Sequence, residues 1–102
     1  MSRRAARTDA NQVAVVDALR AAGCSVSSLA ECGKGIPDLL VGVAGQNVLL
    51  EVKDGDLPAS QRLLTPAQKA WHREWKGTAH VVNSVGEALL VIGAYRKGRK
   101  AA

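Results

Sequence analysis

Three charged side chains within two short apolar stretches are the residues of this sequence best suited to chemistry. Asp38 lies within residues 35–42, and Glu51 and Lys53 lie within residues 48–53. A charge in a half-buried strand is unfavourable unless it is paired or binds a metal. Two neighbouring carboxylates repel each other unless a cation lies between them. Oxygen ligands of this kind favour Mg²⁺ or Mn²⁺.

The turn between the two stretches decides whether these side chains meet. Gly45 and Gln46 predict a two-residue hairpin turn, because glycine readily adopts the positive φ of such turns. In that register Asp38 lies opposite Lys53, and Glu51 projects from the same face of the sheet. A three-residue loop would move Asp38 to the other face. The prediction therefore requires an even number of loop residues.

This grouping predicts hydrolysis of a phosphodiester bond. Asp38 and Glu51 would bind the metal ion, and the backbone carbonyl of Val52 could be a further ligand. The ion would polarise the phosphate and lower the pKa of a bound water molecule. Lys53 would orient that water or stabilise the negative charge of the transition state. The alternative is an ordinary strand with alternating charges on an exposed face, since Glu-Val-Lys segments are common.

The same residues resemble a known nuclease signature. Gly-Ile-Pro-Asp at 35–38, followed by Glu-Val-Lys at 51–53, resembles the Pro-Asp…(Asp/Glu)-x-Lys signature of the PD-(D/E)XK nuclease superfamily. Residues 54–60 and 64–72 resemble small stand-alone VRR-NUC proteins, many of them phage-encoded, and the likeness runs from about residue 9 to 82. It implies a Mg²⁺- or Mn²⁺-dependent DNA endonuclease that is structure-selective for branched DNA, similar to Holliday-junction resolvases, and acts as a homodimer.

The resemblance also implies roles for individual residues. Asp38 and Glu51 would be metal ligands, Lys53 the catalytic lysine, and Gln68 a helix residue beside the site. The local pattern supports another role for Gln68, because Thr65 and Gln68 flank Pro-Ala in the arrangement of a helix capping box. Both interpretations of Gln68 stay open at this stage.

The first helix departs from the superfamily pattern, in which it often carries a glutamate that completes the metal site. Asn11 or Gln12 occupies the comparable stretch here. Gln12 could coordinate the metal through its amide oxygen, or it could close a capping box with Asp9. The missing carboxylate supports a rival hypothesis, a catalytically decayed nuclease that only binds DNA. A basic structural protein of a ribonucleoprotein is a weaker rival, since acids at buried positions would not serve it.

Length and charge predict a single domain, residues 9–95, between disordered basic tails at 1–8 and 96–102, and the resemblance implies that it is a nuclease domain. The chain has 102 residues and a net charge of +5, and the excess of positive charge lies in those tails, which hold seven basic residues and no acid. Basic tails bind phosphates without reading sequence, although they also serve solubility. No apolar run approaches the roughly 20 residues of a membrane span, and the basic N-terminus lacks the apolar core of a signal peptide. Cys24 and Cys32 match no zinc pattern, so we expect a reducing cytoplasm, that of a bacterial host if the gene is phage-encoded.

The element order predicted from the pattern is helix–strand–strand–strand–helix–strand–helix. This order predicts an α/β sandwich with a mixed central sheet of about four strands, and the resemblance assigns it to the restriction-endonuclease-like fold. Residues 79–82 form a short strand that we expect to be parallel to its neighbour, because a helix precedes it.

Basic residues near the proposed site predict contacts with the DNA backbone, although a solvated surface would explain several of them equally well. Trp71 and Trp75 lie one turn apart on the same predicted helix, so they share a face that belongs either to the core or to a dimer surface. The residues predicted to contact nucleic acid are Lys34, Arg62, Lys69, Arg73 and Lys76.

Overall fold

The computed structural model describes the backbone of residues 2–101 and the side chains of residues 10–98. It confirms the predicted α/β class and the predicted order of helices and strands, and adds one 3₁₀ turn at Ala59–Gln61. The elements are α1 (Ser2–Ala21), β1 (Ser25–Ser28), β2 (Leu39–Val43), β3 (Gln46–Val52), α2 (Pro66–Glu74), β4 (Ala79–Val82) and α3 (Val85–Ala101).

The four strands form one mixed sheet in the order β1-β2-β3-β4. The first three strands are antiparallel, whereas β4 pairs with β3 in parallel, as predicted. The parallel pairing follows from the connection through α2, because a strand that returns after a helix enters the sheet in the same direction. Strand β3 therefore lies in the interior of the sheet, with β2 on one side and β4 on the other.

One face of the sheet is buried beneath α1 and α3, and it forms the hydrophobic core. Alternate strand residues such as Leu39, Val41 and Leu50 are fully buried there, together with Leu19 of α1 and Ile92 of α3. The opposite face is covered only in part by the short helix α2, which has no buried residue. Within residues 2–101, no helix is long and apolar enough to cross a membrane. The open face is where charged side chains of β2 and β3 can meet solvent and ligands.

The hairpin between β2 and β3 has the even loop that the site requires, but its register differs from the prediction. The turn residues are Ala44 and Gly45, with φ of 52° and 77°. This geometry favours glycine at the second turn position, where the predicted turn would have placed a glutamine. The strand pairing extends to bring Asp38 opposite Glu51 rather than Lys53. Because the register changed by two residues, the faces of the side chains are unchanged.

The structure also differs from the prediction at both termini. Helix α1 begins at Ser2 rather than at Asp9, and α3 continues to Ala101, so the stretches predicted as disordered tails are helical over 2–8 and 96–101. Alanine, arginine and lysine, which dominate these stretches, have high helix propensity. Asp9 lies inside α1 and is not the first residue of a capping box. Met1, Ala102 and the basic side chains of 2–9 and 99–101 lie outside the described residues.

The loop that leads into β2 packs directly against the beginning of α2. Gly35 has a φ of +81°, and a β-carbon there would lie 2.7 Å from the carbonyl carbon of Ala67. Gly33 has a φ of +63° but open space around its β position. Alanine substitutions at Gly33 and Gly35 therefore distinguish the effect of backbone strain from that of steric overlap.

Replacing Gly35 with alanine is expected to lower the free energy of unfolding by about 3 kcal/mol, because the added methyl group both strains the backbone and displaces α2. Gly33→Ala adds only the backbone strain and is expected to lower it by about 1–2 kcal/mol. Urea unfolding of the two variants measures the difference. Equal losses would show that the loop does not need its close approach to Ala67.

Candidate active site

The charged residues singled out from the sequence converge on the open face of the sheet, under the first turn of α2. They line a cavity of about 250 Å³. Strands β2 and β3 contribute the acids and the lysine, α2 contributes an amide, and α1 reaches the rim. The lining residues are Asn11, Asp38, Glu51, Val52, Lys53, Asp54, Leu57, Gln61 and Gln68.

Asp38 is held in place by backbone hydrogen bonds immediately before β2. The Val52 backbone N–H donates to Asp38 Oδ2 at 2.9 Å, so the carboxylate bridges to the neighbouring strand. The Leu29 N–H donates to the Asp38 carbonyl oxygen at 2.7 Å, which fixes the backbone as well. These bonds orient one carboxylate oxygen along β3, where Glu51 is its neighbour.

Glu51 is the one buried charged residue among the described side chains, with only 2% of its surface exposed. Its Oε2 accepts a hydrogen bond from Gln68 Nε2 at 3.1 Å and lies 3.7 Å from Lys53 Nζ. Its Oε1 is buried without a hydrogen-bond partner. Burial, and then the adjacent Asp38 carboxylate, raise the pKa of Glu51 to about 8, although Lys53 opposes this shift. Without a cation, the site therefore avoids a second negative charge by keeping the Glu51 proton up to about pH 8, and a hydrogen bond to Asp38 adds to this shift.

The raised pKa predicts that, without a divalent cation, stability falls as the pH rises. The unfolded chain releases the Glu51 proton near pH 4.5, whereas the folded chain keeps it to about pH 8. Across that interval the folded state binds more protons, so the free energy of unfolding falls with pH and the contribution is lost above pH 8. The glutamine of Glu51→Gln cannot ionise. At pH 9 in EDTA, the free energy of unfolding of this variant is therefore expected to be about 1–3 kcal/mol higher than that of the wild type.

Urea unfolding between pH 5 and pH 9 gives the free energy of unfolding of both proteins as a function of pH. The difference between the two slopes measures the contribution of Glu51. The comparison cancels the titration of groups that do not interact with Glu51. Identical slopes for the two proteins would show that Glu51 ionises normally in the fold.

Gln68 performs both roles that the sequence left open. Its backbone N–H donates to Thr65 Oγ1 at 3.2 Å, and its Oε1 accepts from the Thr65 N–H at 2.9 Å, which completes the capping box. The same Oε1 accepts from Lys53 Nζ at 2.9 Å, while Nε2 donates to Glu51. The cap of α2 therefore fixes the amide that joins Lys53 and Glu51.

Asn11, rather than Gln12, is the α1 amide that reaches the cavity. Asn11 Nδ2 donates to the backbone carbonyl of Lys53 at 2.7 Å. Gln12 lines a separate cavity of about 400 Å³ together with Asp17, so the structure does not bring it to the carboxylates. The amide on the site side of α1 anchors the end of β3 and supplies no negative charge.

His72 is a neighbour of the site that the sequence pattern did not identify. It lies one turn after Gln68 on α2, and its Nε2 is buried without a hydrogen-bond partner. Burial, followed by the positive charge of Lys53, lowers the pKa of His72. The spacing of four residues from Gln68 was the only sequence signal for this placement. An imidazole with a lowered pKa stays neutral at physiological pH and adds no charge to the site.

The residues predicted to bind phosphate lie outside the cavity, and they differ in whether their side chains are exposed or held by the protein. The side chain of Arg62 is half-buried, and its Nε donates to the Leu57 carbonyl at 2.8 Å, so this guanidinium supports the loop. Arg73 lies 3.5 Å from Glu74 in an exposed pair that contributes little to stability. Of the predicted cations, Lys34, Lys69, Arg73 and Lys76 are exposed.

The donor set suits Mg²⁺ or Mn²⁺ bound with several water molecules. Over the described residues there is no cluster of three or more histidine, cysteine, aspartate or glutamate side chains. Mg²⁺ is commonly held by one or two carboxylates, water and substrate phosphate, so two acids are sufficient. The partnerless Oε1 of Glu51 and its raised pKa fit a site whose positive charge comes from a bound cation.

Comparison with known proteins leaves the function to be argued from this geometry. No family model, curated protein or solved structure matches the chain.

Proposed function

We propose that this protein is a Mg²⁺- or Mn²⁺-dependent endonuclease that hydrolyses phosphodiester bonds in DNA. The observation that carries the proposal is the pairing of Asp38 with a buried Glu51 whose Oε1 has no partner, beside an ordered lysine. Without a cation, the repulsion between these two acids is avoided only by keeping Glu51 protonated far above its ordinary pKa, which is unfavourable for a merely structural strand. A divalent cation would balance it.

The chemistry follows from what each side chain can do. Asp38, Glu51 and the Val52 carbonyl would hold the ion, which when bound supplies a polarised phosphate and an acidified water molecule. Lys53 directs an ammonium group into the same cavity and can stabilise the charge that builds on the phosphate oxygens. Gln68 holds Lys53 through its Oε1, so the ammonium is positioned before substrate binds.

Recognition of DNA shape rather than sequence fits the rest of the surface. The exposed cations Lys34, Lys69 and Lys76 suit phosphates, which position a protein on DNA without reading its bases. We therefore propose a structure-selective enzyme for branched DNA that acts as a homodimer on paired strands, as the VRR-NUC resemblance implies. Free Cys24 and Cys32 are compatible with the reducing cytoplasm proposed for it, that of a bacterial host if the gene is phage-encoded.

A catalytically decayed nuclease that only binds DNA is the second candidate. Its support is that the described residues hold no group of three acids able to bind a metal, and that α1 contributes the amide of Asn11 in place of a carboxylate. Such a protein would retain the fold and the basic surface without cutting DNA.

Cleavage of a four-way junction and a matched linear duplex, with Mg²⁺, Mn²⁺ or EDTA, distinguishes the two candidates. We expect cutting with either metal, none in EDTA, and faster cutting of the junction. Asp38→Asn should abolish cutting, whereas Asp17→Asn, an exposed acid of α1 outside the site, should not. Tight binding without cutting under both metals would favour the decayed nuclease.

A further inference from the structure

An apolar groove lies beside the acidic cavity, under the C-terminal half of α2. Its volume is about 520 Å³, within the roughly 300–1,000 Å³ of small-molecule sites. The Trp71 and Trp75 rings stack with centroids 4.7 Å apart and an interplanar angle of 18°. Trp75 is 47% exposed, so this face is open rather than part of the core. The groove residues are Leu29, Cys32, Ile36, Leu40, Asn47, Leu49, Trp71, Trp75, Gly77 and Thr78.

The groove continues the surface that carries the proposed active site. Leu40 and Leu49 pair with each other across β2 and β3. Each lies two residues along its strand from an acid, Asp38 or Glu51, and therefore shares the face of that acid. On α2, Trp71 follows Gln68 by three residues, which places it on the same side of the helix. A strand of DNA that passes the acids can reach the groove with its adjacent nucleotide.

The chemistry of the groove suits a nucleobase. Stacked indoles and aliphatic walls accept a flat aromatic ring, and Asn47 and Thr78 offer polar groups at the edge. No carboxylate lines it among the residues described, and the exposed Lys34 and Lys76 lie in sequence between residues that line it. Aromatic rings for bases and lysines for phosphates are the combination used by proteins that bind single-stranded nucleic acid. A hydrophobic peptide would not need those cations.

We infer that this groove binds an unpaired base of the DNA strand, next to the phosphodiester at the acidic site. The inference rests on the proposed function and specifies its substrate. A base within a duplex hides both faces in the stack, so only an unpaired or extruded base can enter. Preference for branched DNA would then come from bases that are extruded more easily next to a branch point than within a continuous duplex.

Binding in EDTA by full-length protein isolates this contact from catalysis. The probes are oligothymidylate and an abasic oligonucleotide with the same number of phosphates, each labelled for anisotropy. Both tryptophans of the chain line the groove, so their fluorescence reports its occupancy directly. We expect oligothymidylate to quench it and the abasic strand to leave it unchanged.

Trp75→Leu keeps an apolar side chain but removes the ring. It should weaken oligothymidylate binding about 5- to 150-fold while abasic binding stays the same. Leu90→Ala removes an even more exposed apolar side chain from α3, outside the groove, and should change neither.

Gly77→Ala provides a second variant with both indoles present. A β-carbon there would lie 2.9 Å from Trp75 Nε1, so the ring must move. This variant should also weaken binding to oligothymidylate more than binding to the abasic strand.

Equal affinity of the wild type for the two strands, or an equal loss for both in Trp75→Leu, would overturn the inference. The inference would also be overturned if a second copy of the chain filled the groove. In that case Trp75→Leu would dissociate a dimer, and the wild type would show no base-dependent quenching. Cleavage without base-dependent binding would leave the proposed function intact while refuting this substrate. Base-dependent binding without metal-dependent cleavage would support base binding in the groove and refute the proposed endonuclease activity.

Discussion

Glu51→Gln is expected to reduce Mg²⁺-dependent cleavage by about 10³-fold or more. Glutamine has nearly the same shape and can still accept the hydrogen bond from Gln68, so the fold is preserved. It lacks the charge that would hold the cation between Glu51 and Asp38. The transition state then loses both the polarised phosphate and the activated water, while the exposed lysines still bind DNA.

Two measurements make this result specific. Calorimetric titration with Mn²⁺ should show that the variant has lost metal affinity, and anisotropy should show that its DNA affinity in EDTA is unchanged. Glu74→Gln is the matched control, since the Glu74 side chain is 73% exposed on α2 and does not line the acidic cavity. Cleavage by Glu51→Gln at the wild-type rate would remove Glu51 from the metal site.

Stability cannot account for the expected loss. Removal of a buried ionisable group whose pKa is raised makes the folded state more stable at high pH, as argued for Glu51 above. The inactive variant is therefore expected to unfold at higher urea concentration than the wild type at pH 9 in EDTA. An inactive but more stable variant distinguishes a functional acid from a structural one.

The face on which the acids meet could be predicted from the sequence because strand geometry has a period of two. Glu51 and Lys53 share a face whatever their partner strand does, and any even hairpin loop brings Asp38 to that face. The predicted register was wrong by two residues, yet this error preserved the face. The error changed only the opposing residue, which is Glu51 rather than Lys53.

The neighbours from the helices could not be predicted in the same way, because they depend on where a helix lies over the sheet. Asn11 and Gln12 are adjacent in sequence, and only the packing of α1 decides that Asn11 reaches the Lys53 carbonyl. His72 lies near Lys53 because of the way α2 packs over the open face, and the local sequence does not determine this packing. The partnerless oxygen of Glu51 is likewise a property of the assembled site.

Lys53→Met is expected to lower the cleavage rate by about 10²–10³-fold, while metal binding is retained. Methionine keeps the apolar part of the side chain but removes the ammonium that lies 2.9 Å from Gln68 Oε1 and 3.7 Å from Glu51 Oε2. Since that charge stabilises the transition state more than bound DNA, kcat should fall and KM should change little. Lys69→Met removes an exposed lysine that we assign to phosphate contact, so it should raise KM and leave kcat unchanged.

The same variant should shift the pH dependence of metal binding in a direction that a structural role for Lys53 does not predict. Lys53 lowers the pKa of Glu51, so its removal raises that pKa further, and the acid must lose this proton to bind a metal. Mn²⁺ binding by Lys53→Met should therefore reach its midpoint at a higher pH than in the wild type. Lys53→Arg retains the charge and should restore the wild-type midpoint. If it does so without restoring kcat, the ammonium acts on the phosphate through its shape and position, in addition to its effect on Glu51.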